Sequence, residues 1–126
     1  MTSTARGFVP GRHKIDEYRE GGFRFADMSH RGSIFALPTG VHAIAIEAAA
    51  QIDESALALV LDAPKGTIDL LIVGAGRELS PLPTALRARL RAAGIGCETM
   101  STGAAVRTYN MLIDEDRRVS ALLIAV

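Results

Sequence analysis

The chain has 126 residues, which is enough for one domain with its own hydrophobic core. Its 14 basic and 14 acidic residues cancel, so it lacks the basic excess typical of nucleic-acid binding, and we expect no nucleic-acid partner. One cysteine, Cys97, excludes an internal disulfide and fits a reducing compartment.

The N-terminus has no apolar run of the kind that forms a signal peptide. No later segment approaches the roughly 20 apolar residues of a membrane span. We therefore expect a soluble cytoplasmic protein that does not span the membrane.

The first half of the chain predicts an antiparallel meander after a loose arm. Residues 1–14 are polar and predict a flexible N-terminal arm, which leaves residues 15–126 as a single domain. Residues 22–26 alternate at period two and predict a strand with Phe23 and Phe25 on one face. Residues 27–32 predict a turn-rich loop. Two apolar runs, 33–37 and 41–47, flank Pro38-Thr39-Gly40 and predict a hairpin.

The second half alternates between strands and helices. Asp53 is a predicted N-cap of a short helix, and Leu82, Leu86 and Leu90 form the apolar stripe of a second helix that ends at Gly94. The remaining predicted elements are strands over residues 67–73, 97–100 and 119–126 and a helix over residues 102–114. Such alternation implies parallel strands with right-handed crossovers. The fold class predicted is a single α/β domain with a mixed sheet, antiparallel in the first half and βαβαβ in the second.

The turn Gly74-Ala75-Gly76 follows a buried strand and suggests a dinucleotide-binding motif. That motif needs a third glycine three residues after Gly76, where this chain has Leu79. The favoured interpretation is a tight turn at the end of a parallel strand, and no cofactor is expected.

The turn Ser101-Thr102-Gly103 at a helix start is the better candidate for a small ligand. Free backbone N–H groups and the helix dipole at such a position bind anions, although ordinary capping explains the same residues. Arg107 lies about one turn further along. Because this turn and the Gly74 turn both leave the carboxyl ends of neighbouring parallel strands, we expect them on one rim of the sheet.

The helix over residues 102–114 has a core face and a polar face. Its predicted core residues are Ala105, Thr108, Tyr109, Leu112 and Ile113, which follow helical spacing. Asn110 is a mediocre helix former, so its position in mid-helix predicts a polar contact with a neighbouring loop.

The sequence gives little support for a metal site or for a nucleophilic catalytic residue. His13, His30 and His42 have no second ligand at the short spacings of zinc sites, so no metal is expected. Cys97 lies in an apolar strand, which favours a buried, inert thiol.

The Gly-rich turn at residues 74–76 and the last third of the chain together resemble a known family. The residues that carry the resemblance are Leu70 to Gly76, Gly94-Ile95, Ser101-Thr102, Ala104-Ala105, Arg107 to Asn110, Leu112, Arg117 or Arg118 with Val119, and Ala121 to Ile124. They resemble a small domain-of-unknown-function family first seen structurally in a methanogenic archaeon. Its eukaryotic members include a mitochondrial respiratory complex I assembly factor and an adipogenesis-associated cytosolic protein. The chain departs from the family pattern at Val106, where members often carry Cys, and it lacks a Trp often found after the hairpin.

The resemblance implies a three-layer α/β fold and no established catalytic activity. It favours a non-enzymatic assembly or interaction factor, with subunits of a respiratory complex as partners, that sits at the inner membrane through that partner. The alternative is a protein or enzyme that binds a small anion or nucleotide phosphate at the rim; homo-oligomerisation stays open. The predicted ligand or partner surface comprises Gly74, Gly76, Arg77, Ser101, Thr102, Arg107 and Asn110.

Overall fold

The computed structural model describes residues 7–126, which form nine strands and three α-helices. The strands are β1 (Phe8–Pro10), β2 (Glu17–Arg19), β3 (Gly22–Phe25), β4 (Met28–Arg31), β5 (Ile34–Leu37), β6 (Gly40–Ala43), β7 (Leu70–Gly74), β8 (Gly96–Met100) and β9 (Val119–Leu123). The helices are α1 (Ala58–Leu61), α2 (Thr84–Ala92) and α3 (Thr102–Asp114), and Ala49–Gln51 forms a 3-10 turn.

Six strands make a mixed sheet in the order β1-β6-β5-β9-β7-β8, and β2, β3 and β4 make a separate antiparallel sheet. The hairpin β5–β6 is antiparallel, and β5 also pairs antiparallel with β9. Strands β9, β7 and β8 are parallel to one another. The predicted α/β fold, antiparallel first and βαβαβ afterwards, is therefore confirmed.

The central strands are covered on both faces. Leu71, Ile72 and Val73 of β7 have no exposed surface, and every residue of β9 is buried. Such continuous apolar runs are typical of parallel strands with structure above and below them. The sequence prediction for these two strands is confirmed, although β7 spans Leu70–Gly74 rather than residues 67–73 and β9 ends at Leu123.

Two hydrophobic clusters lie on opposite faces of the main sheet. On one face, Tyr109 and Ala105 of α3 pack together with Phe23 and Phe25 of the small sheet. On the other face, Val60 of α1 packs with the α2 stripe of Leu86 and Leu90. The molecule therefore has three layers, with the six-stranded sheet in the middle.

The predicted loop over residues 27–32 is wrong. Met28–Arg31 forms strand β4, which pairs with β3 around a two-residue turn. Ala26 and Asp27 have φ angles of 51° and 60°. Both central residues of a type I′ hairpin turn have positive φ, a geometry that usually carries Asn or Gly. The sequence lacks that signal here, so the hairpin is not recognised from local residues.

Other predicted boundaries also move, and strands β1 and β2 were not predicted. Helix α2 begins at Thr84, so Leu82 of the predicted stripe precedes the helix. Strand β6 ends at Ala43 rather than at residue 47. Helix α1 begins only at Ala58, after a turn in which the Asp53 carboxylate accepts a hydrogen bond from the Ala56 amide at 2.8 Å. Residues 8–10 form β1 and pair with β6. Part of the predicted arm, residues 1–6, lies outside the described residues, and the division of the chain at residue 14 stays a prediction.

Candidate functional site

The two turns singled out in the sequence lie side by side at the carboxyl ends of β7 and β8. The amide of Ala75 donates to the Met100 carbonyl at 2.8 Å, and the amide of Thr102 donates to the Gly76 carbonyl at 2.8 Å. These bonds join the turn after β7 to the start of α3. The structure thus brings Gly74, Gly76, Ser101 and Thr102 together on one rim.

The hydroxyl of Thr102 is a buried bridge within this rim. It accepts a hydrogen bond from the Gly76 amide at 3.0 Å and donates one to the Ile124 carbonyl at 2.6 Å. Thr102 has no exposed surface. Its hydroxyl therefore fastens three chain segments together and does not face a ligand.

Gly74 and Gly76 serve different local needs. A Cβ on Gly74 would lie 3.0 Å from atoms of Ala105, Leu123 and Thr102, so α3 packs directly against the bare backbone of β7. Gly76 has a φ of 109° and open space around it. Glycine is needed at position 76 for its backbone conformation, because residues with a side chain rarely adopt that φ.

The N-terminus of α3 has few donors left for an anion. Ser101 caps the helix, since its hydroxyl accepts from the Ala104 amide at 3.4 Å, and its carbonyl accepts from the Ala105 amide at 2.9 Å. The Thr102 amide is bound to Gly76. The Tyr18 hydroxyl fills the space that a side chain at Gly103 would need. This arrangement favours a structural cap over an anion site.

Of the remaining predicted site residues, Arg77 adjoins the rim, whereas Arg107 and Asn110 lie further along α3. Arg77 and Arg107 are exposed, the first beside the Gly76 turn and the second on the surface of α3. Asn110 lies two turns beyond Thr102, where its side chain binds the backbone of Ile15. The predicted contact of Asn110 with a neighbouring segment is confirmed, and this contact occupies its amide.

A wide hollow beside the rim is lined by Gly76 and Arg77 together with residues that no sequence pattern indicated. We call it the rim hollow; its volume is about 860 Å³ and it is lined by residues 47–50, 75–80 and 124–126. Polar and apolar surface contribute about equally to its wall, and the apolar share comes from alanines and from Leu79, Ile124 and Val126. Its charged residues are Glu47, Glu78 and Arg77. No local pattern predicts this hollow, because its three segments are distant in sequence.

Leu79 is the outstanding apolar residue of the rim hollow. It is 64% exposed, the largest exposed fraction among the exposed large hydrophobic residues within 7–126. Burial of a leucine side chain contributes about 1.5–3 kcal/mol. Because Leu79 is already partly covered, a partner that buries the rest of it would gain about two thirds of that contribution, or about 1–2 kcal/mol.

Residues 7–126 contain no group of three His, Cys, Asp or Glu side chains that could hold a metal ion. Cys97 is only half-buried, which is less than the predicted buried thiol. Burial raises the pKa of the Cys97 thiol, while a hydrogen bond with Thr99 and the charge of Arg87 act in the opposite direction. A raised pKa lowers the thiolate fraction, which is the reactive form.

Within the part of the chain that the structure describes, no helix is both long and apolar enough to cross a membrane.

The fold and rim define a three-layer α/β protein with a mixed sheet, and known proteins share this architecture. Residues 15–124 match the family described as "Protein of unknown function (DUF498/DUF598)", and the chain belongs to that family. The sequence-based expectation of a domain-of-unknown-function family is thereby confirmed. A solved structure from Bordetella pertussis, described as a Mth938-like domain, is 28% identical over 89% of this chain and 85% of its own, with a TM-score of 0.74.

Relatives of higher identity carry no assigned activity in their descriptions. An uncharacterised protein of Rhodobacter capsulatus is 40% identical over 98% of this chain and 93% of its own length. A crystal structure described as an outer membrane protein from Bartonella henselae is 50% identical, covers 93% of this chain and 98% of its own, and has a TM-score of 0.88. The Rpa2829 protein from Rhodopseudomonas palustris is 45% identical over 94% of this chain and 89% of its own, with a TM-score of 0.80.

Proposed function

We propose that this protein is a non-enzymatic interaction factor that helps to assemble a respiratory membrane complex of the complex I type. The family resemblance motivates the choice of complex, and the exposed Leu79 at the rim hollow is the observation that supports a protein-binding role. In this proposal the protein acts in the cytoplasm and reaches the inner membrane through its partner.

The chemistry of the rim hollow specifies the occupant that we propose. The apolar part of its wall suits an apolar side chain, and Glu47 and Glu78 outnumber Arg77 among its lining residues. A protein segment with an apolar anchor next to a basic residue would satisfy both features. A small anion would meet two carboxylates there, which makes the anion-binding alternative the weaker of the two.

Affinity capture with a matched pair of variants tests the proposal. Leu79→Asp places a charge on the apolar wall of the rim hollow. Met111→Asp is the control, because Met111 is 54% exposed on α3 and does not line the hollow. Both variants and the wild type are tagged, expressed in the native cells and captured in mild detergent.

We expect wild type and Met111→Asp to capture subunits of a complex I type respiratory complex and Leu79→Asp to lose them. Capture of the same subunits by Leu79→Asp would contradict the role of the rim hollow. Absence of respiratory subunits from the wild-type sample would contradict the assembly role. A rise in melting temperature with millimolar inorganic phosphate, lost in Arg77→Ala, would favour the anion-binding alternative instead.

A further inference from the structure

The outer edge of β8 is an unpaired strand edge. Strand β8 has five residues and pairs along one side with β7. Among residues 7–126, no strand pairs with its other side. The opposite edge of the sheet is β1, which has only three residues and ends in Pro10. Short edge strands and proline discourage further pairing, so β1 is protected in a way that β8 is not.

The pairing with β7 identifies which backbone groups of β8 face outward. The Gly96 amide donates to the Asp69 carbonyl at 2.8 Å, and the Met100 carbonyl accepts from the Ala75 amide at 2.8 Å. Residues of a parallel strand turn their backbone groups alternately to one neighbour and the other. Cys97 and Thr99 therefore present their N–H and C=O groups at the free edge, ready to pair with an added strand.

A basic groove runs beside this edge. It has a volume of about 470 Å³ and is lined by Arg87, Arg91, residues 94–96 and Cys97. Helix α2 contains three arginines and no acidic residue. Arg89 pairs with Glu54 at 3.4 Å, whereas Arg87 and Arg91 form no salt bridge within residues 7–126. Two guanidinium groups at i and i+4 thus face the space next to β8 without a carboxylate partner.

The two sides of β8 differ in charge. Cys97 packs at the periphery of the hydrophobic cluster that contains Leu86 and Leu90 of α2. Met100 packs against the cluster on the opposite face, which contains Tyr109 of α3. Because side chains alternate along a strand, Thr99 shares the α2 side and Glu98 shares the α3 side. A strand added at this edge would meet arginines on one side and a carboxylate on the other.

We propose that the outer edge of β8 binds an extended acidic segment of a protein partner, which adds as a further strand of the main sheet. Backbone bonds to Cys97 and Thr99 hold the segment, and its carboxylates on the α2 side contact Arg87 and Arg91. Its other face carries uncharged residues, because Glu98 repels acidic ones. This mode of recognition combines backbone pairing for affinity with alternate side chains for specificity.

Charge also favours this occupant over a second copy of the chain. Antiparallel pairing of two β8 strands has a two-fold axis perpendicular to the sheet, which places both α2 helices on the same side. Arg87 and Arg91 of the two copies would then approach each other, and like charges across an interface are costly. The edge of β8 and the rim hollow share no lining residue, so this inference can fail without the failure of the proposed function.

Short peptides test the proposal directly. The probe is an acetylated, fluorescent peptide of alternating glutamate and valine, and the controls replace glutamate by glutamine or by lysine. Binding is measured by anisotropy, and amide exchange of Cys97 and Thr99 is measured by NMR with and without the peptide. The variants are Arg87→Glu/Arg91→Glu, which reverses the groove charge, and Thr99→Pro, which removes an outward N–H. Thr99→Val is the control that keeps that N–H.

We expect the glutamate peptide to bind with submillimolar affinity and to slow exchange at Cys97 and Thr99. The charge-reversed variant and Thr99→Pro should each bind at least about tenfold more weakly, whereas Thr99→Val should bind normally. Three results would each overturn the proposal: equal binding of the lysine peptide, unchanged affinity of Arg87→Glu/Arg91→Glu, or no protection of the two amides at millimolar peptide. A concentration-dependent dimer that protects the same amides would assign the edge to a second copy instead.

Discussion

The side-chain amide of Asn110 pairs with the backbone of Ile15 through two hydrogen bonds. Its Oδ1 accepts from the Ile15 amide at 2.8 Å, and its Nδ2 donates to the Ile15 carbonyl at 2.7 Å. This pairing imitates one step of a β-ladder between a helix and an extended segment. Lys14 and Arg12 continue the attachment through ion pairs with Asp114 and Asp116. Residues 12–15 are thereby attached along the C-terminal half of α3 and the turn that follows it.

Replacement of Asn110 by alanine should destabilise the fold. The change leaves both part-buried backbone groups of Ile15 without their partner, and we expect a loss of about 2 kcal/mol in the free energy of unfolding. Urea denaturation followed by far-ultraviolet circular dichroism measures it, since the chain has no Trp. Arg107→Ala, an exposed change in the same helix, is the control and should stay within about 0.5 kcal/mol of wild type. Equal stability of the two variants would contradict the role of Asn110.

Thr102→Val should destabilise the rim more than Thr102→Ser. Valine preserves the shape but leaves the Gly76 amide and the Ile124 carbonyl unbonded, and we expect a cost of about 2 kcal/mol or more. Serine keeps both hydrogen bonds and removes one methyl group, with a cost of about 1 kcal/mol. The same urea titration ranks the variants. The reverse order would show that methyl packing, and not the buried hydroxyl, stabilises this junction.

Gly74→Ala should overpack the contact between β7 and α3. The added methyl would lie 3.0 Å from atoms of three neighbours, among them the Cα of Thr102. Overpacking of this kind costs about 1–3 kcal/mol. Gly96→Ala is the matched control, because its Cβ would come no closer than 3.4 Å to another atom. A melting temperature of Gly74→Ala equal to that of the control would mean that the helix can shift without cost.

Tyr109 should make the fold sensitive to alkaline pH. Its hydroxyl is buried without a hydrogen-bond partner within residues 7–126, and burial raises its pKa to about 12, against the opposing charge of Arg12. Between the unfolded pKa, about 10, and the folded value, the unfolded chain has released a proton that the folded chain retains. Stability should therefore be complete below pH 10 and fall by about 1.4 kcal/mol per pH unit from pH 10 to about 12.

Tyr109→Phe is the control for this pH dependence. It removes the ionisable group and no hydrogen bond, so stability at neutral pH should be unchanged or slightly higher. Urea titrations of both proteins on either side of pH 10 measure the difference between them. If Tyr109→Phe loses stability with pH as steeply as wild type, another group is responsible.

The sequence by itself determined the elements whose signals are local. The unbroken apolar runs of β7 and β9 predicted central strands, and the spacing of Ala105, Tyr109 and Leu112 predicted the buried face of α3. Gly94 predicted the end of α2, and its φ of 79° agrees with that role. The resemblance of the last third to a family of unknown function was also sufficient to predict the fold. The spacing of apolar residues predicts these elements because it shows which face of a helix or strand is buried.

The tertiary structure decided the partners of those elements. Strand β4 forms by pairing with β3 across a turn that lacks the usual turn residues. Strand β1 forms by pairing with the edge of β6. The sequence indicated that Asn110 makes a polar contact, but only the fold shows that Ile15 receives it. The same holds for the Thr102 hydroxyl, the rim hollow and the free edge of β8. Each depends on chain segments that are distant in sequence, and local patterns of side chains do not encode such pairings.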